Sequence, residues 1–316
     1  MSDLIPNPEP PARRLFSEEP AAALPVYKPP TGSEDQTTMF FPQTPDSPPA
    51  EAPHRIPHLG HALLFLAITG FILIVAQLVL VGFGHTTPGV QSGISPKLLL
   101  GAEAFTYLAS LVLAWLIFPM LWSRPFETGL QTNGPAARRN ALKLIPIGIV
   151  LSFTVQAVSS VVTMPKSIPM DDFFRTPSDV WIITAFGIFL APLFEEVLFR
   201  GFLFPAFAIA YDWLSLPRTD AAKARWNSSN DLSLPAVVFS AILSSILFAI
   251  LHGKQVSYTW PVLVMLFIVS LLLTTIRIRL RSVLASTLVH ASYNAAIFLT
   301  AFFATGGYRH LEKMTR

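Results

Sequence analysis

The sequence predicts an all-α, polytopic membrane protein of about seven transmembrane helices (six to eight), preceded by a disordered, proline-rich N-terminal tail. Three observations predict it. Of the 316 residues, 52% are hydrophobic and only 13% charged, with a mean hydropathy of +0.53, where an average soluble domain carries about 25% charged residues. Beyond residue 55, apolar runs recur at about 20 residues each, the length that crosses a hydrocarbon core as a helix. Finally, 13 of the 28 prolines fall within the first 55 residues. The net charge of +3 and a pI near 9.3 would also suit a nucleic-acid partner. The basic residues lie mostly between apolar runs, however, where positive charge sets membrane orientation, so no nucleic acid is expected. The lack of cysteine removes disulfides, thiolate metal ligands and a cysteine nucleophile.

Residues 1–55 contain PNPEPPARR, YKPPTGSEDQTT and QTPDSPPAEAP. Proline at this density lacks donors for helix or sheet, and too little apolar surface is present to offset ordering entropy. The stretch reads as a disordered cytoplasmic tail. A transmembrane helical domain, 56–305, follows, and 306–316 read as a short polar C-terminus. Within the domain the seven runs are Ala62–Phe83, Leu98–Leu121, Leu142–Val162, Val180–Ala210, Leu234–Leu251, Tyr258–Ile276 and Ser282–Phe303. The first begins beyond the reach of a cleavable signal, so the first helix is expected to act as the targeting signal. The fourth is long enough to tilt or to continue past the membrane surface after Pro192. No internal repeat is evident, which disfavours an inverted-repeat transporter.

Orientation follows from the connectors. With the N-terminus inside, inner connectors carry Arg124, Arg138, Arg139, Lys143, Arg218, Lys223, Arg225, Arg277, Arg279 and Arg281. Outer ones carry Lys97, Lys166, Arg175 and Lys254, and the basic end with Arg309, Lys313 and Arg316 also falls outside, against the trend. The asymmetry predicts a multi-pass protein of the cell membrane, or of the inner membrane in a bacterium, with a cytoplasmic N-terminus.

Against this apolar background the stretch FEEVLFRGFLFPAF, Phe194 to Phe207, is anomalous. An ionisable side chain near the bilayer centre costs about 2.5–3.5 kcal/mol, so Glu195, Glu196 and Arg200 need partners or a task. Glu196 and Arg200 are spaced i, i+4 and can pair on one helix face. Glu195 lies about 100° around the helix, without that partner, and suits a general base. In SSILFAILHG, His252 follows Phe248 by four residues. In STLVHASYNAA, His290 and Asn294 are again i, i+4. At about 1.5 Å per residue, Glu195, His252 and Asn294 all fall about 20–26 Å from the inner helix ends, in one layer. A carboxylate and an imidazole can hold and deprotonate a water, while a second imidazole and an amide donate to an oxyanion. The same groups, with Glu195, His252 and His290 as candidate ligands, could instead hold a divalent metal such as zinc. No His-Glu-x-x-His is present. Both chemistries, with no cofactor or with a metal, stay open from the residues alone.

Glu195-Glu196-Val-Leu-Phe-Arg200, Phe248-Ala-Ile-Leu-His252 and His290-Ala-Ser-Tyr-Asn294, in that order on apolar segments, resemble the three-motif signature of the CAAX-processing and bacteriocin-processing (CPBP, or Abi) family of intramembrane proteases, which includes type II CAAX prenyl proteases. The resemblance spans about 180–300. It implies an all-helical membrane fold with a conical cavity, and endopeptidase action on a membrane-associated peptide or protein. By motif position, Glu195 and His252 would activate the water, and His290 with Asn294 would form the oxyanion hole. Glu196 and Arg200 would support the structure or orient substrate, and Phe248 would pack. The resemblance leaves glutamate-type and metallo-type chemistry both open. The tail and the polar loop RTDAAKARWNSSND depart from the pattern without touching catalysis.

Two other classes compete. A catalytically silent scaffold or immunity-type binding protein would keep the cluster only for packing, but would tolerate loss of one of the four catalytic-type residues. A transporter using Glu195 as an ion site leaves His290 and Asn294 unexplained. Other polar groups read as incidental: Glu103 and Gln77 as lone groups in the helices, His54, His58 and His61 as interfacial, Asp171 and Asp172 as solvated, and Arg277, Arg279 and Arg281 as a headgroup-facing stripe.

Overall fold

The structure, a computed structural model, describes residues 55–83, 94–162 and 169–314; the predicted disordered tail lies outside the described residues, apart from Arg55. Those residues form eleven α-helices and no strand. They are α1 (Leu59–Phe83), α2 (Pro96–Trp122), α3 (Phe126–Leu130), α4 (Gly134–Ser159), α5 (Pro177–Ala185), α6 (Ala191–Glu196), α7 (Phe204–Ser215), α8 (Asp220–Ser228), α9 (Leu234–Leu251), α10 (Trp260–Leu280) and α11 (Val283–Ala304). Among the described residues, seven helices are long and apolar enough to cross a bilayer: α1, α2, α4, the continuous run from α5 through α7 (Pro177–Ser215), α9, α10 and α11. The chain is an all-α, multi-pass integral membrane protein, and each predicted run is one of these crossings.

The ends differ from the hydropathy boundaries because capping sets them. Asn133 accepts from the Ala136 amide and starts α4 at Gly134, not near Leu142, so Arg138 and Arg139 lie on the helix. Thr176, Thr219, Ser233 and Ser282 cap α5, α8, α9 and α11 in the same way. Helix α10 extends to Leu280 and takes Arg277 with it. That arginine is not part of a headgroup-facing stripe: it is 5% exposed and donates to the Leu130 carbonyl at 3.5 Å. Asp172 is likewise buried rather than solvated, paired with Arg175 at 2.5 Å. At the other end of the domain, Tyr308 folds back and is buried, with its hydroxyl on the Phe298 carbonyl at 3.0 Å.

The fourth crossing is not a plain α-helix. Phe186–Leu190 and Val197–Leu203 are π-helical, and each is followed at the second position of the next α segment by a proline, Pro192 or Pro205. Proline has no amide hydrogen to donate, and its ring clashes with the carbonyl four residues back. The wider π turn relieves both problems and leaves carbonyls available to other partners.

The packing is arranged for a bilayer. Small polar residues such as Ser110, Ser152, Ser240, Ser245 and Ser270 are buried, while Phe71, Val81, Phe105, Leu142 and Phe303 point outward. One cluster, with Phe65, Phe118, Trp122, Phe194, Phe199, Phe202 and Phe248, fills the space between α1, α2, α6–α7 and α9. A second, with Leu144, Val269, Leu273, Val289 and Tyr293, joins α4, α10 and α11. Helices α4 and α11 approach so closely at Gly148 that a Cβ there would sit 2.4 Å from the Val289 carbonyl oxygen.

Alternate crossings sort the helix ends into two faces. On one, the Val283 amide donates to the Gln131 carbonyl (3.1 Å), Asn133 to Leu280 (3.3 Å) and the Ser233 amide to Asp212 (2.8 Å). Arg55 joins this face, stacked on Trp226 at 3.7 Å and donating to the carbonyls of Trp226, Ser229 and Asp231. On the other, Lys97 pairs with Asp179 (3.6 Å), and the 3-10 segments Pro169–Phe174 and Gly253–Val256 lie side by side.

Candidate active site

The site forms where α6 meets the end of α9 and the middle of α11. Glu196 and Arg200 make the ion pair expected from their spacing, at 2.8 Å, with both side chains fully buried. The arginine has more partners than its own helix supplies. One terminal nitrogen donates to the Ser270 carbonyl (2.9 Å) and hydroxyl (2.7 Å), and Nε reaches the Thr274 hydroxyl at 3.4 Å. Arg200 therefore ties the fourth crossing to α10.

The same Glu196 oxygen, Oε1, also faces His290 Nδ1 at 3.0 Å. This contact holds the His290 ring and turns its Nε2 toward Glu195, 3.8 Å from Oε2. His252 is fixed in a parallel manner. It caps α9, and its Nδ1 lies 2.7 Å from the Phe248 carbonyl, so Nδ1–H donates there and Nε2 is left as an acceptor. That Nε2 lies 3.8 Å from the same Glu195 oxygen. Three helices thus bring two imidazoles and one carboxylate to a single spot. Glu195 and His252 keep 15% and 19% of their side-chain surface exposed, whereas Glu196 and Arg200 keep none.

Phe248 does more than fill space. Besides offering its carbonyl, its ring packs on His252 (4.4 Å between centroids), His290 (5.9 Å) and Phe199 (5.0 Å), with the Arg200 guanidinium 5.0 Å away. Asn294, one turn along α11 from His290, donates from Nδ2 to the Gly187 carbonyl at 2.6 Å. Gly187 belongs to the first π stretch, and its own Cβ position is closed by Phe298 at 2.7 Å. This bond orients the amide and leaves its second hydrogen for another acceptor.

Glu195, His252 and His290 are the side chains that a divalent ion would have to use. Zinc needs nitrogen and oxygen ligands at about 2.0–2.2 Å. Among the described residues no group of three or more His, Cys, Asp or Glu is arranged to hold a metal ion.

Reasoning from the sequence missed Glu103. It is not a lone group: its carboxylate accepts from Tyr107 at 3.0 Å, and it lies within electrostatic range of Glu195 and His252. Tyr107 in turn stacks flat on Phe194, the residue before Glu195, at 3.8 Å between centroids. The signal was present as an i, i+4 Glu–Tyr pair, but nothing in the sequence says which neighbour α2 faces. Ser270 and Thr274, which hold Arg200, escaped for the same reason.

No curated protein and no solved structure matches the chain. A family model described as type II CAAX prenyl endopeptidase Rce1-like matches residues 177–296, from the start of α5 into α11, and so covers all three motifs. Over that segment the chain is similar to the Rce1-like type II CAAX prenyl endopeptidases.

Proposed function

We propose that the protein is an intramembrane endopeptidase, of the CAAX-processing type by family, that hydrolyses a membrane-associated peptide or protein with a water activated by Glu195 and His252. The observation that carries this reading is the approach of two imidazole Nε2 atoms to one carboxylate oxygen, each at 3.8 Å. That gap is too long for a direct hydrogen bond, and it admits a water bonded to each side at about 2.8 Å.

In this reading the water gives one proton to Glu195 as its oxygen attacks the carbonyl carbon of the scissile bond. His252, with Nδ1–H committed to Phe248, holds the same water through the Nε2 lone pair. Charge developing on the carbonyl oxygen is met from α11, by the second Nδ2 hydrogen of Asn294 and by the His290 ring, which Glu196 holds through Nδ1. Glu195 then passes its proton to the leaving amine as the C–N bond breaks; the hydroxyl proton left on the new acid goes to the released amine, so the products depart as a carboxylate and an ammonium. Arg200 holds Glu196, and through it the His290 ring.

The test is made on purified protein in nanodiscs, wild type beside Glu195→Ala, each given a library of membrane-anchored and prenylated peptides. Fragments are read by mass spectrometry before and after a chelator. Cleavage by wild type alone is expected, and equal processing by Glu195→Ala would sink the proposal. Loss of wild-type cleavage on chelation would move water activation from the side chains to a metal.

A further inference from the structure

Helices α4 and α10 run side by side and antiparallel, and they are tied at both ends. Asn133, the cap of α4, donates to the Leu280 carbonyl at 3.3 Å, and the Ser159 hydroxyl meets Met265 Sδ at 3.7 Å. Between those ties the two helices part, leaving an open groove of about 410 Å³ lined by Pro146, Ile147, Val150, Leu151, Thr154 and Leu272. Its lining is apolar in effect, because the Thr154 hydroxyl is turned onto the Val150 carbonyl at 2.8 Å. Both helices pack on α11 through Leu144, Val269, Leu273 and Val289, whereas Ile147 and Val150 are exposed to the surroundings of the bundle.

One end of the groove is basic. On α4, Arg139, Lys143, Ile147 and Val150 follow one another at spacings of four, four and three residues, so they share a face of the helix. On α10, Arg279 lies seven residues beyond Leu272, two turns along the same face. Because the helices are antiparallel, the start of α4 lies beside the end of α10, and the three cations gather at one end of the groove. All three are exposed, and among the described residues none of them pairs with a carboxylate. The depth of the groove fits one leaflet. Lys143 to Thr154 is eleven residues, about 16 Å at 1.5 Å each, and half of a hydrocarbon core is about 15 Å. A chain laid along α4 from Lys143 therefore ends near the middle of the membrane.

We propose that this groove holds an anionic phospholipid, with an acyl chain between α4 and α10 and its phosphate held by Arg139, Lys143 and Arg279. A zwitterionic lipid offers the same chain but brings its own ammonium to three cations that have no counter-charge. The opposite face of α10 carries Ser270 and Thr274, which hold Arg200. The lipid therefore braces the helix that steadies the Glu196–Arg200 pair. The binding site itself does not depend on the endopeptidase reading.

The full-length protein in detergent is titrated with phosphatidylglycerol and with phosphatidylcholine of the same chains, and bound lipid is counted by native mass spectrometry. Phosphatidylglycerol binds about a hundredfold more tightly, about fivefold for each cation. Arg139→Gln, Lys143→Gln and Arg279→Gln each lower that preference about fivefold, and together they abolish it. Arg138→Gln removes the same charge from a neighbouring face of α4 and leaves the preference in place. All four positions are exposed, and an unchanged unfolding midpoint without added lipid shows that each variant is folded. Val150→Trp fills the groove and weakens both lipids, with Ile147→Trp as a second filling variant. Equal binding of the two lipids overturns the proposal, since an ordinary lipid-facing surface gives that result. Equal losses from Arg138→Gln and Arg139→Gln overturn it in favour of diffuse surface charge. Displacement of phosphatidylglycerol by inorganic phosphate alone, or by an uncharged isoprenoid alcohol at equal concentration, overturns a phospholipid as the occupant.

Discussion

Replacing Arg200 by methionine tests how the site is held. The side chain is fully buried, and its guanidinium meets Glu196, the Ser270 carbonyl and hydroxyl, and the Thr274 hydroxyl. Arg200→Met leaves the Glu196 carboxylate buried without its cation, which costs about 3–5 kcal/mol. Adding Glu196→Leu removes the stranded charge, and most of that loss returns. It does not all return, because His290 Nδ1–H then lacks its acceptor, a penalty of about 1–3 kcal/mol. Activity follows a different course. In the double variant the His290 ring loses its charged anchor, and in Arg200→Met that anchor loses the guanidinium that holds it, so cleavage falls about a hundredfold or more, the scale of losing one oxyanion donor. Stability is read by unfolding in mixed micelles with tryptophan fluorescence, and activity by the peptide assay. If Arg200→Met costs less than about 1 kcal/mol, or if the double variant cleaves like wild type, the assigned roles of Glu196 and Arg200 are wrong.

Three further outcomes are expected. Gly148→Ala places a Cβ 2.4 Å from the Val289 carbonyl oxygen; backbone cannot yield as a flexible side chain does, so the variant loses about 1–3 kcal/mol or more, seen as a lower unfolding midpoint. Asn294→Leu removes the amide that Gly187 orients and lowers kcat about 10²–10³-fold with little change in KM, which steady-state kinetics on any cleaved peptide would reveal. Arg55→Ala loses the stack on Trp226 and three carbonyl contacts, so limited proteolysis cuts the 216–233 connector faster while the membrane helices stay intact.

Much of the architecture was legible because a bilayer imposes its own period on a sequence. Seven apolar runs became seven crossings, and the polar residues that interrupt them drew attention by their cost alone. The i, i+4 spacing of Glu196 and Arg200 gave their pairing in advance, since a single helix contains both partners. What hydropathy does not encode is which helix faces which. The contact of Glu196 with His290, the hold of Ser270 and Thr274 on Arg200, and the approach of Glu103 to the site all join residues from different helices. The π stretches were invisible for another reason. They answer the two prolines within a helix whose composition is otherwise uniform, and Pro119 and Pro146 sit inside helices without one. Arg277 and Asp172 were misread because a charge near a helix end counts as solvated until packing covers it.

The intrahelical ion pair also bears on how the protein is made. Glu196 and Arg200 belong to one helix, a turn apart, so they can neutralise each other while that helix is still alone in the membrane. Inserted singly, each charge would cost about 2.5–3.5 kcal/mol; inserted as a closed pair they carry no net charge into the lipid. Glu195 has no such companion. Its imidazole neighbours come from α9 and α11, which are synthesised later. During biogenesis the fourth crossing therefore enters the bilayer with Glu196 and Arg200 already paired and the Glu195 carboxylate still without its imidazole neighbours, and the candidate site is complete only when the last membrane helix docks.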